Sequence, residues 1–144
     1  MNDEKSLQEY IYQIVTRKFI PYGQLTLFKA LYLADGKWVS KPQLSSLIRE
    51  NDEVSLTGVF GALGGRVNQT KGLPPEYKIG SQLLIDKRRV KGGLEYRMKP
   101  ELRAVLDSIP GMADIFSLSN QEILEKKNNS WKDTWKAQRK DLGI

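Results

Sequence analysis

The chain has 144 residues, of which 40% are hydrophobic and 9% aromatic, so its length predicts one packed core with an appendage and not two ordinary domains. It contains no cysteine and no histidine, which excludes disulfides, thiolate metal sites and the commonest general base. The formal net charge is +6, and residues 66–99 account for it with nine basic and three acidic residues. We expect an anionic partner, no cofactor and no bound metal.

The distribution of apolar residues predicts where the protein works. No stretch approaches the roughly 18 consecutive apolar residues that a membrane helix needs. The first ten residues, MNDEKSLQEY, are charged where a secretion signal is apolar. We therefore expect a cytoplasmic protein with no membrane partner, associated with the nucleoid if it binds DNA.

Two amphipathic helices are predicted at the start of the chain. Apolar residues recur at helical spacing from 6 to about 19, and Pro21 then interrupts the pattern. A second helix is expected over 24–34 because the Asp35-Gly36 pair is a turn signal. Residues 37–39 are expected to form a very short strand.

Two short helices joined by a polar turn are predicted next. Ser40 begins a capped helix, because a proline and a glutamine follow at the positions that a helix start favours. Its inward residues are expected to be Leu44, Leu47 and Ile48. After the polar stretch 49–53, Ser55 or Thr57 caps a further helix whose apolar residues are Leu56, Val59, Phe60, Leu63 and Val67.

The second of these helices is rich in glycine. It contains Gly58, Gly61, Gly64 and Gly65, and each glycine costs about 1 kcal/mol against alanine inside a helix. Two interpretations follow, a helix broken near Gly64-Gly65 or a face without side chains that lets the backbone approach a partner closely. The break is slightly favoured.

A β-hairpin and a last core helix complete the pattern. Gln82–Val90 and Leu94–Lys99 are expected to be paired strands, joined by a turn at Lys91-Gly92-Gly93. Pro100 opens a helix that Pro110-Gly111 ends. The core domain is therefore predicted over 1–110, and 111–144 is predicted to be a polar linker and an amphipathic helix, an arm and not a second domain.

This order of elements resembles the winged helix-turn-helix family of DNA-binding domains over about Leu7–Ile109. The resemblance rests on the element order, on the capped helix at Ser40 with the helix that follows it, and on the hairpin. It implies a mainly α fold with a small β-hairpin, an extra N-terminal helix and a C-terminal helical arm. It also implies that a recognition helix at about 57–70 enters the major groove while a wing at about 83–99 contacts the DNA backbone or the minor groove.

The residues in these two elements have the chemistry that DNA contact requires. Arg66, at the flank of the outward face of the recognition helix, can pair with guanine, and Asn68 and Gln69 on that face can pair with adenine, each good pair discriminating by about 1–3 kcal/mol. The wing offers phosphates the cations of Lys87, Arg88, Arg89 and Lys91. Further contacts are predicted at Ser40, Lys41, Thr57 and Lys71. The alternative interpretation of the basic run is a solvated edge strand that charge protects from aggregation.

The end of the chain carries a second candidate contact surface. Trp131, Trp135 and Leu142 fall on one stripe of a predicted basic helix. This stripe could pack on its own domain, pair with a second copy in a homodimer, or bind another protein. The sequence leaves these three alternatives open.

The function that these predictions favour is duplex DNA binding, as a transcriptional regulator or as the DNA-recognition subunit of a larger system. The alternative is a winged helix used for protein interaction or assembly, because a fold does not fix a function. Binding of RNA or single-stranded DNA ranks third, since few aromatic residues lie among the basic ones. We expect no enzymatic activity, because the glycine-rich segment lacks the Gly-Lys-Ser/Thr ending of a phosphate loop and no carboxylate cluster suits a metal.

Overall fold

Helices dominate the part of the chain that the structure describes. The computed structural model of the protein describes residues 6–48 and 55–126. These two ranges contain seven α-helices and one three-stranded antiparallel sheet. The predicted mainly α class with a small β component is thereby confirmed. No helix within the two ranges combines the length and the hydrophobicity needed to cross a bilayer.

The first two helices follow the predicted pattern with shifted ends. Helix α1 (Leu7–Thr16) begins at a capping box, in which the Ser6 hydroxyl accepts from the Glu9 amide and the Glu9 carboxylate accepts from the Ser6 amide. Such a box satisfies two of the amide groups that a helix start leaves unpaired. The helix ends before the predicted limit near residue 19, and α2 (Tyr22–Leu33) begins directly after Pro21.

The short strand and the next two helices lie close to their predicted positions. Strand β1 (Val39–Ser40) leads into α3 (Lys41–Ile48), and α4 (Leu56–Asn68) follows. One predicted core residue of α3 is wrong, because Leu47 is 46% exposed. Leu44 and Ile48 are buried as predicted.

The hairpin begins later than predicted. Two short 3-10 helices, Pro75–Tyr77 and Gly80–Leu83, lie between α4 and the sheet. Strand β2 (Ile85–Val90) starts only after them, since Leu83, Leu84 and Ile85 are buried in succession and do not alternate as strand residues do. Strand β3 (Gly93–Met98) is central in the order β1-β3-β2, and both pairings are antiparallel. We call β2, β3 and their Lys91-Gly92 turn the basic hairpin.

The core continues past the boundary predicted at residue 110. Helix α5 (Pro100–Ser108) ends where predicted, but α6 (Met112–Phe116) and α7 (Asn120–Lys126) fold back onto the preceding helices. Met112, Phe116 and Ile123 are each 1% exposed and belong to the core. The described part of the predicted arm is therefore packed and not loose.

The core joins the helices to one face of the sheet. Its buried members include Ile14 of α1, Phe28 of α2, Leu63 of α4, Tyr96 of β3 and Val105 of α5. The opposite face of the sheet carries charged side chains. This arrangement leaves the start of α4 and the basic hairpin exposed next to each other.

Candidate nucleic-acid interface

The two faces of the basic hairpin differ in charge because strand residues alternate between faces. Ile85, Lys87 and Arg89 share one face of β2, and Ile85 is buried against the core. Lys87 and Arg89 lie opposite Tyr96 and Leu94 of β3, and both cations are exposed because the strand extends past the core. This face therefore presents positive charge next to α4.

The other face of the hairpin is a network of ion pairs. A guanidinium nitrogen of Arg88 lies 2.7 Å from Glu95 Oε1, while Asp86 accepts from Arg97 Nε at 3.1 Å and from Lys99 Nζ at 2.6 Å. Partial burial acts to raise the pKa of the Asp86 carboxyl, but hydrogen bonds from Lys99 and Arg97 outweigh it and hold that pKa below its usual value. Most of the charge on this face is neutralised.

Trp38 supports the same face from β1. The guanidinium carbon of Arg88 lies 4.1 Å from the centre of the Trp38 ring, and that of Arg97 lies 4.5 Å from it. Such cation–π contacts stabilise by about 0.5–1 kcal/mol at exposed sites. Arg88, which we predicted to contact DNA, is thus held by Glu95 and Trp38, and no sequence signal pointed to Trp38 as its partner.

Three cations of the hairpin remain without an acidic partner. Lys87, Arg89 and Lys91 are exposed, and within residues 6–48 and 55–126 none of them has a carboxylate at ion-pair distance. Charges left unneutralised on an exposed hairpin attract a polyanion most effectively. The structure thus divides the predicted basic run into a paired residue, Arg88, and three free ones.

A cleft connects the hairpin to the starts of α3 and α4. It has a volume of about 170 Å³, and its floor includes Phe60 and Tyr96, whose rings stack with centroids 4.7 Å apart. Burial raises the pKa of the Tyr96 hydroxyl. The cleft is lined by Lys41, Leu56, Thr57, Phe60, Ser81, Gln82, Ile85, Lys87 and Tyr96. Three predicted DNA contacts, Lys41, Thr57 and Lys87, therefore meet around one opening that no carboxylate lines.

Serine caps fix the two helix starts at this cleft. The Ser40 hydroxyl accepts from the Gln43 amide at 3.2 Å, and the Ser55 hydroxyl accepts from the Gly58 amide at 3.0 Å. Ser40, which we predicted as a DNA contact, therefore already holds a structural hydrogen bond. A Cβ atom at position 58 would lie 2.8 Å from the Ser55 hydroxyl, so a larger residue there would displace that hydroxyl from its present position.

The glycine-rich helix is continuous. Helix α4 runs unbroken through Gly64-Gly65, which corrects the favoured interpretation of a break. A Cβ at Gly64 would lie 3.5 Å from the Ser81 amide nitrogen, whereas one at Gly61 would meet nothing within 4 Å. Gly64 thus lies against the 3-10 helix Gly80–Leu83, where one added carbon would make ordinary contact and a larger side chain would not fit. Gly61 lies on an exposed stripe of small residues.

The structure corrects the predicted role of Arg66. Its side chain is 3% exposed and donates to four carbonyl oxygens at and beyond the end of α1. A guanidinium held in this way cannot reach a base edge. Helical spacing could have indicated that Arg66 is buried, because positions 59, 63, 66 and 70 all fall on the buried stripe of α4. Those carbonyl oxygens belong to Ile14, Val15, Lys18 and Phe19.

The other predicted base contacts lie at the far end of α4. Asn68 is exposed, and its Oδ1 accepts from the Gly80 amide at 3.0 Å. Gln69 and Lys71 are also exposed, while the Lys71 carbonyl accepts from Gln13 Nε2 at 2.7 Å. Helix α4 has 13 residues and is about 20 Å long, so these residues lie far from the helix start, although Gly80, which Asn68 contacts, directly precedes Ser81 of the cleft lining.

The remaining predictions and the comparisons add no further site. Trp131, Trp135 and Leu142 lie outside the described residues. Among residues 6–48 and 55–126, no group of three or more acidic side chains is placed to hold a metal ion. No protein-family model, curated protein or solved structure matches the chain. Function must therefore be inferred from the geometry and charge of the molecule itself.

Proposed function

We propose that this chain binds duplex DNA as a winged helix-turn-helix, with α4 as the recognition helix and the basic hairpin as the wing. In this role it acts by occupying DNA. The sheet order β1-β3-β2 and the succession of α3, α4 and hairpin support the fold assignment. Both elements of the proposed interface are exposed on one side of the core.

One observation carries the proposal, the set of free cations that converge where the hairpin meets the helix starts. Lys87 and Lys41 line the same cleft, and Arg89 and Lys91 continue the positive charge toward the hairpin tip. Neutralising phosphates with such cations releases counterions from DNA, which makes the affinity depend on salt. A surface charge that only protected an edge strand would not need to continue onto α3.

The placement of α4 residues predicts how strongly DNA sequence is read. Arg66 is buried, and the exposed residues in the first half of α4 are Thr57, Gly58, Gly61 and Ala62, which offer few hydrogen-bonding side chains. Side chains that contact base edges provide sequence discrimination, whereas phosphate contacts do not. We therefore expect duplexes of unrelated sequence to bind with similar affinity.

The salt dependence of binding tests the proposal quantitatively. Four free cations, Lys41, Lys87, Arg89 and Lys91, each contributing about 0.9, give a slope of log K against log salt of about −3.6. The affinity then falls about a hundredfold between roughly 50 and 200 mM salt. Fluorescence anisotropy titrations with labelled duplexes of several sequences measure both quantities.

Matched variants separate the hairpin from general surface charge. The double variant Lys87→Ala, Arg89→Ala removes two of the four cations and should change the slope to about −1.8. Lys18→Ala removes an exposed cation that lines neither the cleft nor the hairpin, so the slope should stay unchanged. Equal slopes for the double variant and the original chain would refute the wing assignment. Absence of duplex binding at low salt would instead favour the protein-interaction alternative.

A further inference from the structure

A second surface, away from the basic hairpin, is apolar. A groove of about 380 Å³ lies between α2 and α3, and Leu33 and Leu47 on its walls are 60% and 46% exposed. Two large aliphatic side chains that are exposed to solvent within one groove indicate a surface that another segment of protein covers. We call it the α2–α3 groove, and it is lined by Thr26, Lys29, Ala30, Leu33, Ala34, Val39, Gln43, Leu47 and Asn120.

Helix α7 is fixed to one rim of this groove. Asn120, the first residue of α7, is 3% exposed and accepts from Lys29 Nζ at 2.9 Å. Its amide group donates to the Leu47 carbonyl at 2.8 Å, which ties α7 to the end of α3. Ile123, one turn later, is buried in the core. The chain therefore leaves α7 from a position that is anchored beside the groove.

The residues that follow α7 are within reach of the groove. Helix α7 has seven residues and is about 10 Å long, and the five Cα-to-Cα steps from Lys126 to Trp131 can span about 17 Å. Trp131 and Trp135 are four residues apart, so a helix would place them on one face, as the sequence pattern predicts. The other positions of such a helix include the basic residues Lys132, Lys136, Arg139 and Lys140.

We propose that residues 127–144 return onto the α2–α3 groove of the same chain and that Trp131 and Trp135 cover Leu33 and Leu47. Apolar contact between the two tryptophans and the two leucines is the driving force. The same chain is favoured over a second copy, because a short link gives the segment an effective concentration in the millimolar range. The inference is independent of DNA binding, since the groove shares no lining residue with the cleft.

Tryptophan fluorescence of the full-length chain tests this docking directly. The chain has three tryptophans, so the variant Trp38→Phe leaves Trp131 and Trp135 as the only indoles. We expect its emission to be that of buried indoles and its quenching by acrylamide to be weak. Adding Leu33→Gln and Leu47→Gln should shift the emission to the red and at least double the quenching constant. Both leucines are substantially exposed in the described structure, so the fold should survive their replacement.

A matched control and a dilution series complete the test. Ile79→Gln replaces a residue that is 51% exposed outside the groove, and it should leave the emission unchanged. The emission should also stay constant over about a hundredfold range of protein concentration, as expected for contacts within one chain. Solvent-exposed emission in Trp38→Phe, or no response to the leucine changes, would overturn the proposal. Emission that reddens on dilution would show instead that a second copy fills the groove.

Discussion

Arg66 provides the sharpest prediction, because its position in the structure implies a role in stability and none in DNA contact. Its guanidinium donates to the carbonyls of Ile14 and Val15 at 2.9 Å and to those of Lys18 and Phe19. The last carbonyls of a helix lack partners within the helix, so this side chain satisfies groups that α1 leaves open.

The expected loss of stability follows from these contacts. At about 1 kcal/mol net for each of the four hydrogen bonds, Arg66→Met should lower the free energy of unfolding by about 4 kcal/mol. That is a large part of the roughly 5–15 kcal/mol by which proteins are stable. Tm should fall by about 10 °C or more. Arg66→Lys should be intermediate, because three donors on a flexible stem cannot match four carbonyls.

Urea denaturation followed by circular dichroism measures this loss, and DNA titration separates the two possible roles. Arg66→Lys, studied at a temperature where it is folded, should bind duplex DNA as the original chain does. An arginine that read guanine would instead lose about 1–3 kcal/mol of discrimination on replacement. Undiminished stability together with weakened DNA binding in Arg66→Lys would refute the reasoning.

Two further predictions concern the glycines of α4 and the charges of the hairpin. Gly61→Ala should raise the free energy of unfolding by about 0.5–1 kcal/mol, because the added carbon enters open space. Gly64→Leu should lower it by about 1–3 kcal/mol, because Gly80 and Ser81 lie against that position. Equal effects of the two variants in urea denaturation would contradict the packing. Asp86→Asn should lower stability at neutral pH, since the depressed pKa means that the folded chain favours the carboxylate. This contribution is present above about pH 4, the ordinary carboxyl pKa, and is lost as pH falls through the lower folded value. The difference in free energy of unfolding between Asp86→Asn and the original chain should therefore vanish in acid, which denaturation at a series of pH values measures. A difference that stays constant with pH would contradict this prediction.

Much of the fold could be predicted because short-range chemistry determines it. Serine caps located the starts of α3 and α4, and helical periodicity identified the buried faces of α1 and α4. The glycine-containing turn fixed the hairpin, whose strands pair in the expected antiparallel way. Each of these signals lies within a few residues of the feature it predicts.

The parts that could not be predicted depend on contacts between distant segments. Arg66 finds its partners about fifty residues earlier in the chain, and helical periodicity places it on the buried stripe of α4 without showing which carbonyl groups accept from it. The late start of β2 reflects the 3-10 helix Gly80–Leu83, which precedes the strand and packs on α4. The closing of the core by Phe116 and Ile123 likewise requires knowledge of which helices those residues meet.

The site was predictable in composition but not in arrangement. The sequence identified the basic run Lys87 to Lys91, yet only pairing with β3 shows that Arg88 turns away from its neighbours toward Glu95. The aromatic floor of the cleft was missed because Phe60 and Tyr96 come from distant elements and read as ordinary core residues. Lys41 gains its place at the cleft from the same long-range packing.

The unequal faces of the hairpin have a consequence for the kinetics of association. On one face two carboxylates oppose three cations, while the other face and the tip hold cations alone. A charge distribution of this kind gives the molecule a directional field, so that a polyanion exerts a torque on it before contact. The protein would then approach DNA with α4 and Lys87 already turned toward the duplex, and fewer encounters would be wasted on wrong orientations. Raising the salt concentration would lower the association rate as well as the affinity.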